Sequence, residues 1–316
     1  MVERVTVSVL VPIYNVERYL GRCLDSIFSQ TYREIQYVFV DNNSTDKSLL
    51  ILEDKIRKYG ISPKKYQIVR HEKNEGIAVS RNDCVDYATS DYVLFVDSDD
   101  WIEPDMVEQM VKASKNGTVD IIGCNFFQEY WNGDCLYVKE PYADNCYENM
   151  LKALDYEVSS VLWKLLIRRS LFHKVRFTPH LDIVEDYIVT IKLYHHASTF
   201  AYVTKGLYHY ILYQDSTSSR RLKSIQSHIK GVIIVEDYLK QNGLYDEHVK
   251  KRLLLRKFNI KSNFLTKSLL DYKAYQETFP EALNMWREMG YSKKECVKFW
   301  LADHNMFFLL NLIQRF

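Results

Sequence analysis

The strongest constraint on the fold is an alternation that runs from Val5 to Gln128. "VTVSVLVP" (Val5–Pro12) is rich in β-branched residues and reads as a strand. The next segment, "VERYLGRCLDSIFSQ", sets Tyr19, Leu20, Cys23, Leu24, Ile27 and Phe28 on one helical face. "IQYVFVD" is a second strand ending at Asp41, and "STDKSLLILEDKIRKYG" is a helix that stops at Gly60. "YQIVRH", "YVLFVD" and "VDIIGCNFFQ" are further strands, separated by the helices "GIAVSRNDCVDYA" and "PDMVEQMVKASKNG". The second of these helices has Pro104 at its start and Gly117 at its end, the usual asymmetry of helix termini. A strand buried on both faces is apolar throughout, and parallel strands need helical crossovers. The pattern therefore predicts an α/β fold with a mostly parallel, doubly wound sheet flanked by helices. With 47% hydrophobic and 26% charged residues in 316, the chain can bury the large core this needs.

Past Gly117 the alternation fades. "CLYVK" and "LYHYILY" read as strands, expected antiparallel at the sheet edge, and "VEDYIVTIKLYHH" as a helix. From Ser224 the pattern is helical almost to the end. A boundary is expected at "STSSRR", giving a domain of residues 1–219 and a basic helical C-terminal region of residues 220–316. That region holds 18 Lys and Arg against 10 Asp and Glu, so the net charge of +1 hides a basic tail on a mildly acidic body. Such a tail suggests an anionic surface as partner, either membrane or nucleic acid; the partner expected here is an anionic membrane surface, with no nucleic acid. No basic-apolar-small leader opens the chain, and the longest uncharged apolar run, "MFFLLNLI", is too short to span a bilayer. Six cysteines without a CxxC pair fit reduced, buried thiols. Together these features predict a cytoplasmic protein, peripheral on the inner face of the cytoplasmic membrane.

In an open parallel sheet, ligands bind beyond the carboxyl ends of the strands. Four motifs fall there: "PIYN" after the first strand, "DNNSTD" after the second, "HEKNEGIAVSRN" after the third and "DSDDW" after the fourth. No GxGxxG follows the first strand and no GxxxxGK[ST] occurs, so hydride transfer and P-loop phosphoryl transfer are unsupported. A nucleotide can be held in another way. Tyr14 offers a ring face to a base, Asp41 can accept from a pyrimidine N–H, and Arg81 can reach a base carbonyl or a phosphate. Asp97, Asp99 and Asp100 repel one another and resist desolvation, so something must compensate them. A divalent cation on Asp99 bridging a diphosphate is one remedy, because Mg²⁺ and Mn²⁺ complete their shells with phosphate oxygens and water.

"VSVLVPIYN", "VDNNSTDKS", "NEGIAVSRN" and "FVDSDDW", in this order and spacing, resemble the large inverting glycosyltransferase family 2, of GT-A fold. That family includes bacterial capsule, lipopolysaccharide and teichoic-acid enzymes. The resemblance is tight over roughly the first 130 residues and looser through "WKLLIRRSLF", "IVEDYIVTIKLY" and "LYHYILYQDSTS". It implies a GT-A domain in residues 1–219, with a nucleotide-binding half at 1–117 and an acceptor half at 118–219. By the resemblance, Pro12, Tyr14, Asn15 and Glu17 line the nucleoside pocket, Asp41 binds the base, and Arg81 sits near base and diphosphate. Asp97 approaches the ribose with Ser98 beside it, Asp99 ligates Mn²⁺ or Mg²⁺, and Asp186 of "VEDY" is the catalytic base. Trp163, Lys164, Glu185 and His209 are candidates for acceptor or diphosphate contacts. The implied partners are a nucleotide-diphosphate sugar, UDP-linked by default, and a glycan or lipid-linked saccharide. One position departs from the family pattern, which usually has a second Asp where this chain has Asn42.

Plainer readings stand beside these. "DSDDW" alone could be a solvated loop before Pro104, with Asp100 structural. Ser44 and Thr45 read as N-caps and Asp46 as a first-turn dipole complement. Asp186 could cap its helix, and Trp163 could be core. The second "VEDY", with Glu236 and Asp237, reads as a solvated helix face. Two rival functions remain: an aspartyl-phosphate type phosphatase and a non-catalytic sugar-nucleotide-binding module. The phosphatase pattern expects its acids on the first strand with Thr or Val following. Here they end the fourth strand, and Trp101 stands in that place.

Overall fold

The structure, a computed structural model, describes residues 4–181, 183–213, 221–266 and 269–314. The chain divides into two compact units, residues 1–153 with 158–217, and residues 154–157 with 218–316. The boundary expected at 219/220 lies among residues 214–220, outside the described set.

The first unit is built on β1 (Val7–Ile13), β2 (Ile35–Asp41), β3 (Tyr66–Arg70), β4 (Tyr92–Phe95), β5 (Trp101–Ile102), β6 (Ile121–Tyr130), β7 (Cys135–Val138), β8 (Leu165–Arg168) and β9 (Phe200–Leu212). Its helices are α1 (Leu20–Phe28), α2 (Ser48–Tyr59), α3 (Ile77–Asp86), α4 (Met106–Ala113), α5 (Cys146–Leu154) and α6 (Glu185–His196). One sheet runs in the order β3-β2-β1-β4-β8-β6-β9-β5, with β7 on β6. β3, β2, β1 and β4 are mutually parallel. Every residue of β1 is buried, as a run without polar alternation requires for a strand covered on both faces. Val7, Val9 and Val11 pack against Leu20, Leu24 and Ile27 of α1 in a single core cluster.

Two strands escape the sequence pattern. β8 runs antiparallel between β4 and β6, and β5 pairs antiparallel with β9. β8 is four residues long and β5 only two, too short for a period to show. Nor is "LYHYILY" a simple antiparallel edge. It belongs to the thirteen-residue β9, which lies parallel to β6 and carries β5 on its other side. "CLYVK" does pair antiparallel, as β7 on β6.

The second unit contains α7 (Arg221–Gln241), α8 (Glu247–Ser262), α9 (Tyr272–Glu277), α10 (Lys293–Asp303) and α11 (Phe307–Gln314). Glu236 is no solvated residue there. Its carboxylate accepts from Lys257 Nζ (2.7 Å) and from the Tyr245 hydroxyl (2.6 Å). Burial alone would raise its pKa, but the bonds from Lys257, Tyr245 and Lys240 hold it down to about 2. No helix among the described residues is long and apolar enough to cross a membrane. All six cysteines are unpaired, and Cys135 is exposed rather than buried.

Candidate functional site

Because β1, β2, β3 and β4 are parallel, the loops that follow them gather at one edge of the sheet. Side chains tie those loops together. Asn15, in the left-handed region at φ 51°, accepts from the Thr45 backbone N–H through Oδ1 (2.8 Å), and its own N–H donates to Ser44 Oγ (3.1 Å). Glu17 accepts from the Lys47 N–H (3.0 Å), while its N–H donates to Asp46 Oδ2 (2.9 Å). Asp46 also accepts from the Ser48 N–H (2.9 Å). Ser44 and Thr45 therefore brace one loop against another and do not cap α2, whose capping position is Lys47.

Asn42 has a similar structural duty. Its Nδ2 donates to Asn74 Oδ1 (2.9 Å), and its Oδ1 accepts from the Glu75 N–H (2.8 Å) and from His71 Nδ1 (2.9 Å). An aspartate could not donate to Asn74, which gives a physical reason for the departure at this position. Asp41 ends β2 with its Oδ1 on the Ser44 N–H (3.2 Å) and is 5% exposed. Pro12 is buried within β1, whereas Tyr14 is 46% exposed beside these loops.

The centre of the site is Arg81, on α3. Its Nη1 donates to Glu185 Oε1 (2.6 Å) and to Asp186 Oδ1, and its Nη2 to Asp97 Oδ1 (3.0 Å). The guanidinium is 5% exposed and is enclosed by these three acids. It joins the strand-end acid Asp97 to the first turn of α6. Burial works against its charge, but Asp186, Asp97 and Glu185 outweigh that and raise its pKa. Burial likewise raises Glu185 and Asp186, with Arg81 opposing in both cases. Asp186 does not cap α6. Its Oδ2 accepts weakly from the Leu162 N–H (3.5 Å), and its side chain remains 17% exposed. Glu185 is more deeply placed, and its Oε2 is buried without a hydrogen-bond partner among the described residues.

The acid loop after β4 separates into distinct environments. Asp100 is 1% exposed and holds β9, accepting from the Tyr208 hydroxyl (2.8 Å) and the Ile211 N–H (2.8 Å). Tyr208 in turn accepts from the Asp97 N–H (3.1 Å), and the Tyr213 hydroxyl donates to the Asp99 carbonyl (2.9 Å). Ser98 is buried between them. Sequence reasoning finds only a strand here and misses Tyr208, on β9, and Tyr213, just past its end; the alternate spacing of Tyr208 and Tyr210 is the available signal for the first. No Lys, Arg or His among the described residues pairs with the Asp99 carboxylate, and burial together with the Asp97 charge raises its pKa to about 6. A lone, partly open carboxylate of this kind fits a divalent cation that brings further ligands with it. No group of three His, Cys, Asp or Glu among the described residues could hold a metal unaided.

Three other candidates lie elsewhere in the packing. Lys164 is fully buried on Glu140 (2.7 Å) and Ser159 (2.7 Å), with burial lowering its pKa to about 8 against the pull of Glu140. It is therefore unavailable to an acceptor. His209 is sandwiched between Trp101 and Phe127, and its two ring nitrogens face Glu129 (2.7 Å) and Glu103 (2.9 Å) rather than a phosphate. Trp163 is 4% exposed, stacked on Tyr208 and Tyr210.

Comparison with known proteins places this architecture. The model of Glycosyl transferase family 2 matches residues 8–177, more than half of the chain. The chain belongs to that family. The transferase is 31% identical over 260 residues to EpsH of Bacillus subtilis (strain 168), named as a glycosyltransferase, covering 79% of this chain and 73% of the relative. It is 34% identical over 224 residues to glycosyltransferase GlyA of Streptococcus pneumoniae serotype 4 (strain ATCC BAA-334 / TIGR4), covering 67% of this chain but only 31% of GlyA. Among solved structures, S. aureus TarS superposes with a TM-score of 0.71 at 21% identity, over 98% of this chain and 55% of that one. At that identity the likeness speaks for the fold, which is GT-A.

Proposed function

We propose that this family 2 glycosyltransferase moves a sugar from a UDP-linked donor to a saccharide acceptor by a single, inverting displacement, within bacterial surface polysaccharide synthesis. The observation that carries the reading is the Arg81 cluster, which holds one part-exposed carboxylate, Asp186, beside the acid loop. TarS 1–349 is known in complex with UDP and with UDP-GlcNAc, which supports a uridine nucleotide here. A mannosyltransferase of Pyrobaculum calidifontis, with a TM-score of 0.57, is known with GDP-Man and Mn²⁺, which supports a divalent cation.

In this reading Tyr14 stacks on the base and Asp41 accepts from its N–H, at the mouth of the loops that Asn15, Glu17 and Asn42 hold in place. Asp97, fixed by Arg81, faces the ribose. Asp99 would hold Mn²⁺ or Mg²⁺, and the ion would supply positive charge beside the leaving diphosphate. Asp186 takes the proton of the acceptor hydroxyl as it attacks. Burial raises its affinity for that proton, and Arg81 opposes premature protonation. One base and no covalent nucleophile imply inversion.

Calorimetric titration with UDP tests the donor reading. Binding is expected in the presence of Mn²⁺. Asp99→Ala should remove the Mn²⁺-dependent part of the affinity. No binding of UDP or any other nucleoside diphosphate, with or without Mn²⁺, would overturn the reading.

A further inference from the structure

The core face of the sheet runs on past the end of the core. Gln128 of β6 lies opposite Tyr210 of β9 and Leu136 of β7, and Tyr130 lies opposite Leu212. Registered neighbours share a face of a sheet, as do residues two apart along a strand. These five side chains therefore continue the face that carries Phe126 and Tyr208 into the core. Toward its outer end the face stays aromatic and aliphatic but opens to solvent, with Tyr130 37% and Leu136 53% exposed. Gln128 Nε2 donates to the Tyr130 hydroxyl (2.8 Å), so an amide is bonded to the outer phenol and stands in register with Tyr210.

The inner end of this face abuts the acid cluster. Trp163 stacks on Tyr210 with ring centroids 5.6 Å apart, and on Tyr208, whose hydroxyl is bonded to Asp100. Leu162, one residue before Trp163, presents its N–H to Asp186 Oδ2. Burial, and then the charges of Asp100, Asp97 and Asp99, push the Tyr210 hydroxyl up to about 12, as expected of a ring close to those acids. A pyranose offers an apolar C–H face and a rim of hydroxyls. Flat aromatic faces beside an amide match both parts, and the five described side chains of this face carry no charge, which suits a neutral sugar beside an acidic centre.

We propose that the face formed by Tyr210, Gln128 and Tyr130 is the acceptor subsite and takes a neutral saccharide. The rings stack on the tyrosines, and Gln128 bonds the hydroxyls. The placement rests on Asp186 as the base, since the attacking hydroxyl must lie beside it.

The test is retention of the purified full chain on an array of immobilised neutral and anionic mono- and oligosaccharides, with UDP affinity measured in parallel. The wild type should be retained on at least one neutral saccharide. Tyr130→Ala and Gln128→Ala should each weaken that retention tenfold or more, with UDP affinity and melting temperature unchanged. Tyr87→Ala, which removes a more exposed tyrosine just beyond α3, should leave retention as it was. Retention on no neutral saccharide, or equal retention of Tyr130→Ala and wild type, overturns the proposal. Failure of the wild type to bind UDP would instead remove the donor reading while leaving the array result legible.

Discussion

Replacing Asp186 by Asn is expected to slow glycosyl transfer by about two to four orders of magnitude. The substitution keeps the size of the side chain. Its Oδ1 can still accept from Arg81, which holds the first turn of α6, while the Nδ2 that replaces Oδ2 cannot accept from the Leu162 N–H and gives up only that long 3.5 Å bond. What is lost is the ability to take a proton. UDP affinity should be unchanged, because Tyr14, Asp41 and Asp99 are untouched. Initial rates of UDP release in the presence of acceptor, set beside calorimetric UDP affinity, separate the two effects. Transfer at the wild-type rate would remove Asp186 as the base.

Replacing Arg81 by Met should cost about 3–5 kcal/mol of folding stability, a large share of what a domain possesses. Methionine fills much of the space but leaves Asp97, Glu185 and Asp186 facing one another with their shared cation gone. Glu185 already has one oxygen buried without a partner, so it has no second bond to fall back on. Arg81→Lys should fall between the wild type and Arg81→Met. A single ammonium cannot reproduce the two guanidinium nitrogens that span α6 and the strand-end acid. Chemical denaturation of both variants measures this. A loss below about 1 kcal/mol for Arg81→Met would mean that the cluster is held by other forces.

The parts of this picture that were legible in the sequence share one property: they are local. An apolar run that ends in Asp41 or in Asp97–Asp100, and a helix that opens with Glu185–Asp186, can each be seen in a few adjacent letters. Partnership between distant residues leaves no such mark. Arg81 and Glu185 are 104 positions apart, and Tyr208 and Asp100 are 108. Nothing in the adjacent letters marks Arg81 as enclosed by acids, or Lys164 as buried on Glu140. The cap assignment at Ser44 and Thr45 failed for a related reason. A hydroxyl before a helix has the same letters whether it bonds the helix or, as here, a neighbouring loop. β8 was invisible because a four-residue strand between two others needs no period of its own.

The central claim is that one carboxylate, held by Arg81, accepts a proton while the sugar is displaced in a single step. The anomeric configuration of the newly formed bond tests it most directly. Proton NMR of the product, made from a UDP-sugar of known configuration, should show the opposite anomer. A product that keeps the donor's configuration would rule out a single displacement from the opposite face, and would contradict the account.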